Sequence, residues 1–273
     1  MAENAPEECR RVGAASELIE ALAETLWKAE ADQTPVDRLT TAHPDLSVVE
    51  AYAIQTRNID RRIQDGRVRR GRKVGLTSRA MQDMMGVREP DFGVLLDDMF
   101  VEEGDPVIAS ELVQPRVEAE IALVLTDDLR GPGVTSSMVF GSVGAVCASI
   151  EIIDSRIREW DIGLVDTIAD NASSARVVVA GNPISLEGVD LRLIGMALHL
   201  NGELVETGAG AAVMGNPIRC VAWLANKLAE VGEYLEAGEV ILAGALHRAV
   251  PVSAGDSVVA EFDRLGCVRA SFA

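Results

Sequence analysis

The sequence predicts an α+β protein, a small N-terminal helical region over residues 1–70 leading into a β-rich catalytic body over residues 71–273. Three observations carry that expectation. Leucines recur at helical spacing near the N-terminus. Past Arg72 the chain turns into short β-patterned runs, two of them joined by strong hairpin signals. No GxGxxG or GxxxxGK[ST] follows a strand and strands do not alternate with long helices, which argues against a doubly wound nucleotide fold.

Taken in order, the first dozen residues read as a loose tail. Leu18, Leu22 and Leu26, with Ile19 and Trp27 beside them, predict a helix from Ala14 to about Ala31. The stretch from Gln33 to Leu46 contains Pro35, His43 and Pro44 and reads as a connection. A second helix should begin at Ser47, where Glu50 three positions on completes a capping box, and stop at Gly66. RKVGLTS at 72–78 is a short strand ending in a Thr-Ser cap, and RAMQDMMG at 79–86 a short helix. DFGVLLDDMF, a loop at Gly104-Asp105-Pro106 and the strand VEAEIALVL follow. The Gly-rich segment after Gly131 should combine a short helix with the strand VCASIEIID.

VVVAG, ALHLNGELV, EVILAGA, DSVVAEF and CVRASFA continue the β pattern. Asn201-Gly202 signals a type I′ hairpin, and Asp263 to Gly266 a second turn. One helix interrupts, with Asn216 as N-cap, Pro217 at N1 and Ile218, Val221, Leu224, Ala225 and Leu228 on its apolar face.

A net charge of −18 repels phosphate backbones and anionic lipid, so neither nucleic acid nor membrane is an expected partner. The N-terminus MAENAPEECRR lacks an apolar leader core and no run is long enough to span a bilayer, so a cytoplasmic protein is expected. Cys9, Cys147, Cys220 and Cys267 form no CxxC and read as reduced thiols.

The chemistry concentrates on carboxylates. Strand periodicity puts Glu118 and Glu120 on one face, with Val117, Ala119, Ile121, Leu123 and Leu125 on the other. Like charges side by side in a half-buried strand repel unless a cation lies between them. Glu151 sits inside the apolar run CASIEII. Three carboxylates in apolar strands suit an oxygen-seeking ion such as Mg²⁺ or Mn²⁺. The competing reading is a solvated strand face, with Glu151 paired to an arginine. Residues alone leave the two about even.

His43, His199 and His247 are far apart and show no zinc spacing. Lys73, one of three lysines, lies in an apolar strand and could bind a carboxylate or move a proton; the alternative is a strand-end lysine with an exposed head. Asp91 is a general acid/base or a turn former after Pro90. No GxSxG occurs, and no cysteine has an evident activating partner.

GRKVGLTS at 71–78, EPDFGVLLDDM at 89–99, QPRVEAEIALVL at 114–125, IEIIDSRIREW from 150 and DTIADNAS ending at Ser173 resemble the 2-keto-4-pentenoate (2-hydroxypenta-2,4-dienoate) hydratases of the fumarylacetoacetate hydrolase superfamily. The resemblance runs from the second helix to the C-terminus, with the motifs in the family's order. It implies a mixed β-roll core, a homo-oligomer and a Mg²⁺ or Mn²⁺ site at Glu118, Glu120 and Glu151. It further implies Lys73 and Asp91 as catalytic residues, and Leu76 and Ser173 as substrate-binding positions. The implied substrate is a small 2-oxo or 2-hydroxy dienoate from aromatic or steroid catabolism, hydrated to a 4-hydroxy-2-oxo acid. A complex with an upstream or downstream pathway enzyme fits the same picture.

One departure stands out. The superfamily often has threonine before the late-strand glycine, where this chain has Ala243-Gly244-Ala245. The closest rival function is a 4-oxalocrotonate (2-oxo-3-enedioate) decarboxylase of the same superfamily. An acylpyruvate hydrolase lacks support, because no N-terminal His-Glu pair is evident. A non-catalytic assembly subunit is disfavoured by the intact Lys73, Asp91 and glutamates.

Overall fold

A computed structural model describes residues 7–79, 82–83 and 86–273. The chain opens with three helices, α1 (Glu7–Ala31), α2 (Leu39–Ala42) and α3 (Val48–Gln64). Helix α1 starts well inside the stretch expected as a tail. The first six residues lie outside the described ones, as do four of the eight residues of the helix expected over 79–86. Helix α3 begins as expected, with Ser47 and Glu50 forming the capping box, and Gly66 takes a left-handed conformation just past its end.

Among the described residues, twelve strands form two sheets. The first comprises β1 (Arg69–Gly75), β2 (Asp91–Leu96), β4 (Arg116–Leu125), β5 (Val143–Ile153), β6 (Ser174–Val179) and β9 (Val240–Ala245), in the order β2-β1-β9-β4-β5-β6, with β10 (Val250–Pro251) pairing β4. The second comprises β3 (Pro106–Val107), β7 (Gly195–Leu200), β8 (Glu203–Ala209), β11 (Ser257–Phe262) and β12 (Gly266–Phe272), in the order β3-β12-β11-β7-β8. Pairing is antiparallel except for β1 with β9 and β3 with β12. Both hairpin signals are realised: Asn201 and Gly202 have positive φ between β7 and β8, as do Arg264 just before β12 and Gly266 at its start.

The main core lies between the sheets and under helix α6 (Pro217–Ala229). Ile121, Leu123 and Ile150 come from the first sheet, Val258, Ala260 and Val268 from the second, and Val221, Leu224 and Leu228 from the helix. Asn216 and Pro217 cap α6 as expected, its side-chain oxygen accepting from Ile218 N–H. A shorter helix, α4 (Ser136–Ser142), capped by Thr135, precedes β5, and α5 (Leu164–Ala169) follows it. The N-terminal helices pack on α5 through a second apolar cluster that includes Leu22, Leu26, Ile54, Ile157 and Ile168. Cys147 and Cys220 are buried free thiols and Cys267 a half-buried one. Among the described residues no helix is long and apolar enough to cross a membrane.

Candidate metal centre and adjoining cavity

Strands β4 and β5 create the centre. Glu118 and Glu120 share one face of β4, and the antiparallel register sets Glu151 of β5 directly opposite Glu118. One carboxylate oxygen from each of the three lies within 4.8 Å of the others. Glu120 and Glu151 are buried and Glu118 half-buried. The reading of a solvated strand face therefore fails, and among the described residues no arginine pairs with Glu151. Its Oε1 accepts from the Ser174 hydroxyl at 2.9 Å, while Oε2 faces the Lys73 ammonium, 3.3 Å away. Glu120 Oε2 accepts from the Gly244 N–H at 2.8 Å. Gly244 has φ +115, and a Cβ there would lie 2.3 Å from the Thr77 hydroxyl, so only glycine presents that amide without strain.

Burial governs the electrostatics, and Lys73 opposes it at all three glutamates. Burial pushes Glu118 up to about 7, with Lys73 opposing. It raises Glu120 well above the ordinary carboxylate range, reinforced by Glu151 and Glu118, and raises Glu151 against the pull of Lys73. Burial alone would lower Lys73, yet Glu151, Glu118, Asp91 and Glu120 hold it above its ordinary value. Buried acidic oxygens with so few donors are a donor set that a hard divalent cation fits.

Lys73 is therefore no strand-end lysine with an exposed head. It is 3% exposed and donates to the Ala172 carbonyl at 2.9 Å. Asp91 opens β2 opposite Gly75 and is equally buried. A Cβ on Gly75 would meet Asp91 Oδ1 at 2.2 Å, and that oxygen has no hydrogen bond. Burial raises the Asp91 pKa, partly offset by Lys73.

Asn171, Ala172 and Ser173 all have positive φ, between 50 and 55 degrees. Three consecutive non-glycine residues in the left-handed region cost about 1 kcal/mol or more each, and such strain persists only where the surroundings enforce it. Asn171 does so with its side chain, accepting from Val94 N–H at 2.8 Å and donating to the Val94 carbonyl at 3.0 Å. Gly93 lets the backbones approach, since a Cβ there would fall 2.6 Å from the Asn171 carbonyl. The Ser173 hydroxyl donates to Asp170, which is itself paired with Arg156.

These residues meet at a cavity of about 580 Å³, whose wall includes Lys73, Leu76, Asp91, Glu118 and Ser173. All seven expected site residues are thus drawn to one place, five of them on the cavity wall and Glu120 and Glu151 in the glutamate cluster beside it; the Leu76 backbone takes φ +54 there. Glu120 and Glu151 are the two buried off the lining. Ala243 is fully buried in the main core and does not line the cavity, whereas Ala245 two positions on does.

Among the lining residues that sequence reasoning missed are Arg116, Trp160 and His247. Arg116 lies on the same β4 face as Glu118, which period-two spacing could have revealed. Its guanidinium sits over the Trp160 ring, 4.4 Å from the centroid, with no carboxylate partner among the described residues. Trp160, with φ +57, donates its indole N–H to the Gln114 carbonyl. His247 carries no signal in its local sequence.

Residues 62–273 match the family described as fumarylacetoacetate (FAA) hydrolase, C-terminal. The chain is 46% identical over 253 residues to the 2-keto-4-pentenoate hydratase of Paraburkholderia xenovorans (strain LB400), covering 93% of this chain and 94% of that one. It is 41% identical over 256 residues to a 4-oxalocrotonate decarboxylase of Pseudomonas putida, covering 94% and 97%. Among solved structures, the 4-oxalocrotonate decarboxylase from Pseudomonas putida G7, complexed with magnesium and adipate, superposes with a TM-score of 0.91 at 41% identity, covering 94% of this chain and 98% of that one.

Proposed function

The chain belongs to the fumarylacetoacetate hydrolase family, and from that premise we propose that it is a metal-dependent hydro-lyase adding water to 2-hydroxypenta-2,4-dienoate or a close homologue. One observation carries the reading most directly: three carboxylates, two buried and one half-buried, converge within 4.8 Å beside a cavity that also presents Lys73 and Asp91. Glu118, Glu120 and Glu151 would hold Mg²⁺ or Mn²⁺. When bound, the ion supplies Lewis acidity toward the substrate's carboxylate and 2-oxygen.

The chain's own residues then account for orientation and proton movement. Lys73, fixed between Ala172 and Glu151, holds positive charge against the substrate's oxygen-bearing end. Asp91 keeps an oxygen free of hydrogen bonds and is the group placed to carry a proton. The 2-hydroxyl loses its proton while C5 gains one, giving a 2-oxo-3-enoate. Water then bonds through oxygen to C4, and C3 takes a proton, leaving the 4-hydroxy-2-oxo acid. The Leu76 backbone and the Ser173 side chain line the path and orient the chain of the substrate.

A second reading has one observation of its own. Arg116, unpaired with any carboxylate among the described residues and on the face of β4 that bears Glu118, suits the far carboxylate of a dicarboxylic acid. That would fit a 4-oxalocrotonate decarboxylase. The deciding experiment supplies Mg²⁺ with 2-hydroxypenta-2,4-dienoate or with 2-oxohex-3-enedioate. Hydratase activity bleaches the dienol absorbance and yields 4-hydroxy-2-oxopentanoate by NMR; CO₂ from the diacid without hydration of the monoacid establishes the decarboxylase instead. We place the enzyme in the cytoplasm as a homo-oligomer, in meta-cleavage catabolism of aromatic compounds or in steroid breakdown. A neighbouring pathway enzyme is its expected partner.

A further inference from the structure

The strand bearing Glu118 and Glu120 has one backbone group satisfied in an unusual way. Strands β4 and β9 are antiparallel, and Leu246 N–H donates to the Ala119 carbonyl at 3.1 Å. An ordinary hydrogen-bonded pair would return that bond, with Ala119 N–H donating to the Leu246 carbonyl. The Leu246 carbonyl instead points at β8, where a Cβ on Gly208 would lie 2.2 Å from it. The β4–β9 register shifts between Glu120 and Ala122, and pairing on the other side resumes at β10, Val250 opposite Val117.

In that gap Ala119 N–H donates to Nε2 of His247, 2.7 Å away. The other ring nitrogen, Nδ1, lies 2.6 Å from the Arg248 carbonyl, which can only accept. Nδ1 therefore carries the ring proton and Nε2 the lone pair. The imidazole also forms part of the cavity wall. It stands where a backbone carbonyl would stand in an unbroken ladder, at the one residue between two of the glutamates.

We infer that His247 is a positioning residue for the metal centre: by accepting the Ala119 N–H it fixes β4 between Glu118 and Glu120 and so sets how their carboxylates converge. The inference rests on the reading that these glutamates and Glu151 hold the ion. A buried backbone donor without an acceptor is rare, so without the ring the strand would twist to find another partner. Any such twist swings both carboxylates. Groups that orient metal ligands typically change affinity by about 10- to 100-fold when lost.

The test is calorimetric titration of Mg²⁺ and Mn²⁺ into metal-stripped protein, wild type beside H247F, H247A and H247Q. H247F keeps a ring without an acceptor, and H247Q restores an acceptor oxygen near the Nε2 position. H247F and H247A should lose about 10- to 100-fold in affinity and exchange the Ala119 amide faster, with H247Q regaining most of both. In the wild-type protein, nitrogen NMR should show His247 protonated on Nδ1 and bare on Nε2, a readout that needs no variant. Wild-type affinity in H247F or H247A overturns the inference, even with a lowered Tm, as does an H247Q as weak as H247F or a proton on Nε2. Failure of the wild type to bind either ion would instead overturn the glutamate site, and the nitrogen spectrum keeps those failures apart.

Discussion

Lys73 and Asp91 share a cavity wall but differ in what their polar atoms have left to do. The lysine is committed to Ala172 and Glu151, whereas Asp91 Oδ1 has no hydrogen bond. Asp91→Asn keeps the shape and removes the proton-carrying function. It should lower kcat by about 10²- to 10⁴-fold while calorimetry finds metal affinity intact; near-wild-type kcat would remove Asp91 from the proton path. Gly244 makes a different point. Its amide supports Glu120, its φ is +115 and the Thr77 hydroxyl occupies the space of a Cβ. Gly244→Ala should destabilise the protein by about 2 kcal/mol through backbone strain and weaken metal binding with it. Urea unfolding and calorimetry on the same sample would show whether the two losses travel together.

At the scale of elements, the left-handed turn over residues 171–173 has the most leverage, because it presents Ser173 to the cavity and the Ala172 carbonyl to Lys73. Asn171→Ala removes both bonds to Val94 and should cost about 2 kcal/mol, with KM raised as the turn relaxes. An unchanged KM would mean the turn is held without Asn171. This turn was also the limit of what the sequence could tell. Capping pairs and hairpin dipeptides act locally, so Ser47-Glu50, Asn216-Pro217 and Asn201-Gly202 could be placed correctly from neighbours alone. The same-face pairing of Glu118 with Glu120 follows from strand periodicity. The register that sets Glu151 opposite Glu118 depends on two strands 33 positions apart, counted from 118 to 151, and no local rule supplies it. Family motifs brought in Leu76 and Ser173. Trp160 and His247 act through a stacked guanidinium and a broken ladder, features that exist only once distant strands have met.

Over the whole molecule, acidity is the governing property, with a net charge of −18 and a buried centre where three carboxylates face the Lys73 ammonium. Burial and repulsion raise all three glutamate pKa values. A group bound more tightly to its proton in the folded state makes its ionised form a burden on stability at neutral pH. The metal-free fold therefore holds charge that an ion would neutralise, and binding should stabilise it by mass action, about 2.7 kcal/mol when the ion is at a hundred times its Kd. Glu120→Gln separates the two contributions, because its amide oxygen can still accept the Gly244 N–H while one buried charge disappears. Without metal, E120Q should melt above metal-free wild type. With saturating Mg²⁺ or Mn²⁺ the order should reverse, since the wild type gains the binding energy and E120Q gains little. A wild-type Tm indifferent to both ions, or an E120Q that gains as much as wild type, would mean that the carboxylates are balanced from within the chain and that the cluster is no metal centre.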